Sequence, residues 1–171
     1  MSMIFKFRMM SDENDAFVRD YEVMYDATLL DLHHFICSDL GYDEVGMTSF
    51  FTSNSEWERL REFTLEDMGE VGEDCALPME SVTLGQVLHK NRDRLIYLFD
   101  MFGNRAYYLE LTGAVEAEAG VEYPRTTLAN GAPSDQYDPT IIPDDGGSIF
   151  DDAMGDFYDF EGDDAYDDDL Y

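Results

Sequence analysis

Leu95-Ile96-Tyr97-Leu98-Phe99-Asp100-Met101-Phe102-Gly103-Asn104-Arg105-Ala106-Tyr107-Tyr108-Leu109-Glu110-Leu111 is the stretch on which the reading of the fold turns. Leu95, Tyr97, Phe99 and Met101 alternate with Ile96, Leu98 and Asp100. Beyond Phe102-Gly103-Asn104, Tyr107, Leu109 and Leu111 alternate with Tyr108 and Glu110. Side chains on a strand point to opposite faces with period two, so two such runs joined at a Gly-Asn turn predict an antiparallel hairpin. Asp100 stands just before the turn, where a carboxylate caps nearby backbone N–H groups; that structural duty outweighs a catalytic one.

Upstream, Met3, Phe5, Phe7 and Met9 alternate with Ile4, Lys6 and Arg8. Phe17, Tyr21, Val23 and Tyr25 share a second strand face, and the polar loop Ser11–Asp15 joins the two runs into a hairpin. The period then changes. Leu29, Leu32, Ile36 and Leu40 recur at three and four residues, with Thr28 and Asp31 spaced as a capping box and Gly41 placed for a left-handed cap. Met47–Thr52 reads as a strand, and Trp57–Leu60 begins another. Residues 66–80 read as a solvated acidic loop, and Thr83-Leu84-Gly85-Gln86 opens a brief helix. These elements predict an α+β fold, with a mostly antiparallel or mixed sheet packed on one main helix.

Charge divides the chain. Its 171 residues carry 10 Lys and Arg against 39 Asp and Glu, a formal net charge of −29. Residues 1–113 hold 9 basic and 22 acidic residues and nearly all the periodic segments. Residues 135–171 hold 14 acidic residues and neither Lys nor Arg. The expected organisation is a folded domain over 1–113, a linker with one short ordered piece over 114–134, and a disordered acidic tail over 135–171. Such a charge repels duplex DNA and anionic membranes, and no apolar run approaches the ~20 residues of a membrane span. The N-terminus lacks a signal-peptide core, and two cysteines, Cys37 and Cys75, make no disulfide framework, which together point to the reducing cytoplasm.

No phosphate loop, nucleotide fingerprint, nucleophile elbow or zinc-ligand spacing occurs, so the sequence predicts no enzyme, no cofactor and no metal. His33 and His34 are adjacent, and helical neighbours diverge by ~100°, which argues against their sharing an ion. His33 and Cys37 sit one turn apart, as a base and a nucleophile would, but a histidine and a small buried thiol at the edge of a packed face account for them better. Lys90, Arg92 and Arg94 form the main cationic cluster and a candidate anion site; Arg59 with Arg61, and Lys6 with Arg8, form lesser pairs. In the tail, Phe150, Phe157, Tyr158, Phe160, Tyr166 and Tyr171 punctuate the aspartates. Acidity alone needs no aromatics, so these six are the candidate partner-binding residues, docking in a groove while aspartates meet a basic rim.

Thr28–Ile36, Leu40-Gly41-Tyr42-Asp43, Met47–Phe51 and Leu95–Asp100 together resemble the Ri-plasmid ORF-three-like family, whose members are also labelled insertion-element passenger proteins. That family orders a strand, a Trp-Arg-Arg strand, a Leu-His helix ending in Gly-Trp, a His-bearing strand, a Thr-Leu helix start and a Tyr-Asp-Phe-Gly-Asp hairpin. Here His33 matches the helix histidine, Tyr42 replaces the tryptophan, Gly46-Met47 replaces the His-bearing start, and Thr83-Leu84 matches the second helix start. Arg19 stands near the arginine pair, and Asp100, Gly103 and Asn104 stand near the hairpin motif. The chain is similar to a divergent, Asp-tailed branch common in the Bacteroidetes. The resemblance implies a β-grasp-like sheet against the helix and carries no activity. The sequence thus points to a non-enzymatic adaptor whose tail binds a basic protein partner. The alternatives are a small-molecule or anion-binding domain around His33, Arg19 and Lys90–Arg94 with the tail as cover, and a mobile-element or nucleic-acid accessory factor.

Overall fold

The structure, a computed structural model, describes residues 2–44, 47–66 and 76–137. β1 (Met3–Ser11) and β2 (Val18–Met24) form the first antiparallel hairpin, with Phe7 opposite Tyr21 and Phe5 opposite Val23. Tyr21 and Val23 are fully buried, whereas Tyr25, expected on the same face, lies beyond the end of β2 and is 43% exposed. The chain has already turned there: the Ala27 N–H donates to the Met24 carbonyl at 3.0 Å.

α1 (Leu29–Leu40) is capped as its sequence predicts. Thr28 Oγ1 accepts from the Asp31 N–H at 3.1 Å, and Asp31 Oδ2 accepts from the Thr28 N–H at 3.0 Å. The pair satisfies two donors that the first helical turn leaves unbonded. At the other end Gly41 adopts φ 75°, and the Tyr42 N–H reaches back to the Cys37 carbonyl. Leu29, Leu32, Ile36 and Leu40 enter the same buried cluster as Phe7, Tyr21, Phe50, Tyr97 and Leu109 from the strands. Fully burying such a leucine contributes on the order of 2 kcal/mol.

β3 (Ser49–Ser53), β4 (Arg59–Thr64), β5 (Leu77–Pro78), a 3₁₀ turn (Met79–Ser81), α2 (Leu84–Val87), β6 (Arg94–Asp100), β7 (Arg105–Glu116) and β8 (Arg125–Asn130) complete the order. The eight strands form one mixed sheet in the order β5-β4-β3-β6-β7-β1-β2-β8, antiparallel throughout except for the short β4–β5 pair. The fold is therefore mostly sheet, with few helices. The β6–β7 hairpin lies in its middle, and β6 is buried on both faces from Leu95 to Asp100. Ile96, Leu98 and Ala106 form a second buried cluster beneath Trp57, Phe51 and Tyr108.

Three segments differ from their sequence reading. Trp57 occupies a turn at φ 61°, and the strand begins at Arg59, because Asn54 Oδ1 accepts from the N–H groups of Glu56 and Glu58 and holds the turn closed. Within the acidic stretch 66–80, Leu77 and Pro78 pair with β4 and Met79 is fully buried; residues 67–75 lie outside the described residues. The stretch 114–134 holds the end of β7 and all of β8, which pairs with β2, and the compact unit runs Met1–Gln136. β8 escapes the period-two test because four of its six residues are exposed, as befits an edge strand. Gly131, at φ 75°, then turns the chain against Ala16, whose carbonyl oxygen lies 2.6 Å from where a β-carbon would stand.

Candidate functional site

The inward edge of α1 carries the chemistry-bearing groups. His33 lies one helical turn from Leu29 and Ile36, so it is carried into the core with them and is 1% exposed. Its Nδ1 lies 2.8 Å from the Tyr97 hydroxyl, presented by the middle of β6. Cys37 Sγ lies 3.5 Å from the same hydroxyl and 3.8 Å from His33 Nδ1. Burial lowers the pKa of His33 and raises those of Cys37 and Tyr97, so all three stay neutral near pH 7. A neutral, 2% exposed thiol is a poor nucleophile, and the His33–Cys37 pair is a packed contact bridged by Tyr97. His33 Nε2 is buried and has no hydrogen-bond partner among the described residues.

His34, on the outer side, contacts Glu44 through Nδ1, and both side chains are about half exposed. One ligating atom each of His33, His34 and Glu44 lies within 4.8 Å of the other two. The Cα–Cβ directions do diverge, but the imidazole rings swing back to a centroid separation of 5.5 Å. Glu44 reaches them because the left-handed Gly41 reverses the chain. The turn is then fixed by Gln136, which donates to the Asp43 carbonyl at 2.7 Å and accepts from its N–H at 2.8 Å. His34 also borders a groove of about 530 Å³, walled by Val23, Asp31, Phe35, Tyr123 and Pro124.

Lys90, Arg92 and Arg94 do not converge on an open anion site. Arg94 lies over the Trp57 ring at 4.4 Å and donates to the Ser55 carbonyl at 2.6 Å and to Glu110 at 3.2 Å. Arg92 approaches the same Glu110 at 3.7 Å, so one carboxylate already occupies the space between the two guanidiniums. Arg94 is engaged from the sheet, while Arg92 and Lys90 lie on the exposed turn that Asp93 holds by accepting from the N–H groups of His89 and Lys90. Arg19, the other cation of that reading, is 7% exposed and committed. It donates to the carbonyls of Val18, Asn130 and Gly131 and pairs with Asp39 at 3.3 Å.

Arg105 and Tyr107 are participants that periodicity did not single out. Arg105 forms a bidentate pair with Glu13 at 2.8 and 2.9 Å, reaches Asp100 at 3.1 Å and donates to the Asp135 carbonyl at 2.8 Å. Hydrogen bonding to Glu13 raises its pKa further. Asp100 accepts from the Gly103 N–H at 3.1 Å, the turn-capping role its position predicts. The Tyr107 hydroxyl accepts from the Ser134 N–H at 2.9 Å and meets the Tyr42 hydroxyl, which donates to the Ser134 carbonyl. Residues 134–136, the root of the acidic segment, are thereby bound to the sheet. Phe150, Phe157, Tyr158, Phe160, Tyr166 and Tyr171 lie outside the described residues. Among the described residues, no helix is long and apolar enough to cross a membrane.

Against known proteins, residues 4–138 match the family described as plasmid pRiA4b ORF-3-like protein. No curated protein matches the chain. A crystal structure of a protein of unknown function from Methanosarcina mazei Go1 is similar at a TM-score of 0.63 and 18% identity, over 75% of this chain and 70% of that one. At that identity the likeness is one of fold.

Proposed function

The chain belongs to the plasmid pRiA4b ORF-3-like family, and from that premise we propose that it is a non-enzymatic cytoplasmic adaptor whose acidic, aromatic-bearing C-terminal segment binds a basic protein partner. The observation that carries this reading is how the chain distributes its charge. Seven of its ten lysines and arginines, Lys6, Arg8, Arg19, Arg92, Arg94, Arg105 and Arg125, are ion-paired with carboxylates of the folded unit. Residues 138–171 themselves carry neither Lys nor Arg, so their acidic charge has no basic residue within the segment to neutralise it. Small ions would screen that charge without needing aromatics. Six aromatic rings among the aspartates supply the apolar anchors a protein groove requires.

Binding of this kind has a two-part signature. Electrostatic steering speeds association and weakens as salt screens it, while buried aromatics slow dissociation. Arg105, Tyr42 and Tyr107 hold residues 134 and 135 against the sheet. The test compares the full chain with a full-length variant in which Phe150, Phe157, Tyr158, Phe160, Tyr166 and Tyr171 are all replaced by Ser, as baits in a host lysate at two salt concentrations. Loss of a basic protein from the variant bait, with mass-spectrometric identification, is the expected result. Retention of the same partners by both baits overturns the proposal and assigns binding to the folded unit.

A further inference from the structure

We propose that His33, His34 and Glu44 form a site for a first-row divalent cation of the zinc class. Two imidazoles and a carboxylate are a donor set that zinc accepts with a fourth position left for water. The nitrogen donors select it over magnesium and calcium, which prefer an all-oxygen shell.

The buried histidine carries the argument. His33 is 1% exposed, its Nδ1 is engaged by Tyr97, and its Nε2 has no partner among the described residues. A buried ring nitrogen without a hydrogen bond is uncommon, because it has lost its water and gained nothing in return. A cation bound at Nε2 supplies what is missing. Tyr97 then takes the place of the oxygen acceptor that commonly backs a metal-bound histidine: Nδ1–H donates to its hydroxyl, which fixes the tautomer and leaves the Nε2 lone pair free. The Tyr97 hydroxyl is also within 3.5 Å of Cys37 Sγ, so it retains a partner when it accepts from the ring.

The other two ligands can adjust. One ligating atom from each of the three residues lies within 4.8 Å of the other two, whereas ligands of a tetrahedral zinc at ~2.1 Å stand about 3.4 Å apart. Closing that gap moves His34 and Glu44, whose side chains are 50% and 46% exposed, rather than the buried His33. Their present contact breaks as both turn to the ion. The backbone beneath Glu44 stays in place, because Gln136 clamps Asp43 through two hydrogen bonds.

The test uses the full chain, stripped with chelator and titrated with Zn²⁺ in excess Mg²⁺, which occupies the carboxylates of the C-terminal segment. Binding of one equivalent is expected, with His34→Ala and Glu44→Gln each weakening it about tenfold or more; both positions are exposed, so the fold is retained. Tyr97→Phe should weaken it by a smaller factor within the ~10–100-fold range of outer-shell partners. Co²⁺ in place of Zn²⁺ should give visible absorption bands that His34→Ala abolishes. Zinc affinity unchanged in both His34→Ala and Glu44→Gln, or no saturable one-equivalent binding in Mg²⁺, overturns the site.

Discussion

The seam that receives residues 125–136 and the turn at 89–94 both gather arginines, carboxylates and aromatic rings, yet they use them differently. At the seam Arg105 joins Glu13, Asp100 and the Asp135 carbonyl, Arg19 joins Asp39 and the carbonyls of Asn130 and Gly131, and Thr126 and Tyr21 share Asp39. All but the Arg105–Asp100 bond span 18 or more residues of sequence, so together they hold an edge strand and the chain that follows it. At the turn, Arg94 reaches back to Ser55 and Trp57 and across to Glu110 on the neighbouring strand, and its Nε is left without a partner. Cation, anion and ring are common to both regions. What differs is whether the pair closes the protein's architecture or braces a hairpin already held by backbone bonds.

Arg105→Ala probes that difference hardest. Asp100 is 5% exposed and loses its cationic partner, and Asp135 loses its donor. Removing one partner of a buried pair costs roughly 3 kcal/mol. Chemical denaturation should show that loss, with faster proteolytic cutting between residues 130 and 137. A cost no greater than that of Arg94→Ala erases the distinction between the regions.

Alkaline titration sharpens it from another side. Burial, then the hydrogen bond to Asp39, raises the pKa of Tyr21 above its ordinary value of 10.0. The unfolded chain therefore releases this proton first, so the contribution is intact below about pH 10 and is lost as pH rises, at ~1.4 kcal/mol per pH unit. Tyr21→Phe should flatten the stability profile above pH 10 by that slope. An unchanged profile removes Tyr21 from the seam's energetics.

Arg94→Ala should cost least, about 1 kcal/mol in the same denaturation measurement. It forfeits two hydrogen bonds, to the Ser55 carbonyl and to Glu110, and the contact with Trp57, but Glu110 keeps Arg92 nearby and a buried N–H with no acceptor among the described residues is relieved. A loss as large as that of Arg105→Ala would mean that the 89–94 turn is as structural as the seam.

Legibility in the sequence followed the same line. The β1–β2 and β6–β7 hairpins, α1 with both its caps, and the Asp100 turn were readable because each is encoded within a few residues: period two, period three to four, Thr28 with Asp31, Gly41. β5 and β8 were not. Leu77-Pro78 is too short to show a period, and β8 is mostly exposed, so neither carries the alternation that burial imposes. The site behaved likewise. His33 and Cys37 attracted notice through helical spacing, but Tyr97 entered through sheet register and Glu44 through a chain reversal, both at a distance in sequence. The Lys90–Arg94 cluster reads as an anion site from composition, which cannot show that Arg92 and Arg94 both approach Glu110 on the next strand.

By itself the sequence determined the hairpins, the capped helix, the family and the partition of charge between a folded unit and an acidic C-terminal segment. Each of these follows from local periodicity, capping stereochemistry or composition, which act along the chain. Only the tertiary structure decided that the fold extends to Gln136, that most of the arginines pair with carboxylates within it, and that His33, with a buried nitrogen unpartnered among the described residues, clusters with His34 and Glu44. Those outcomes depend on which distant groups burial brings together, and on whether each polar atom taken out of water finds a partner there.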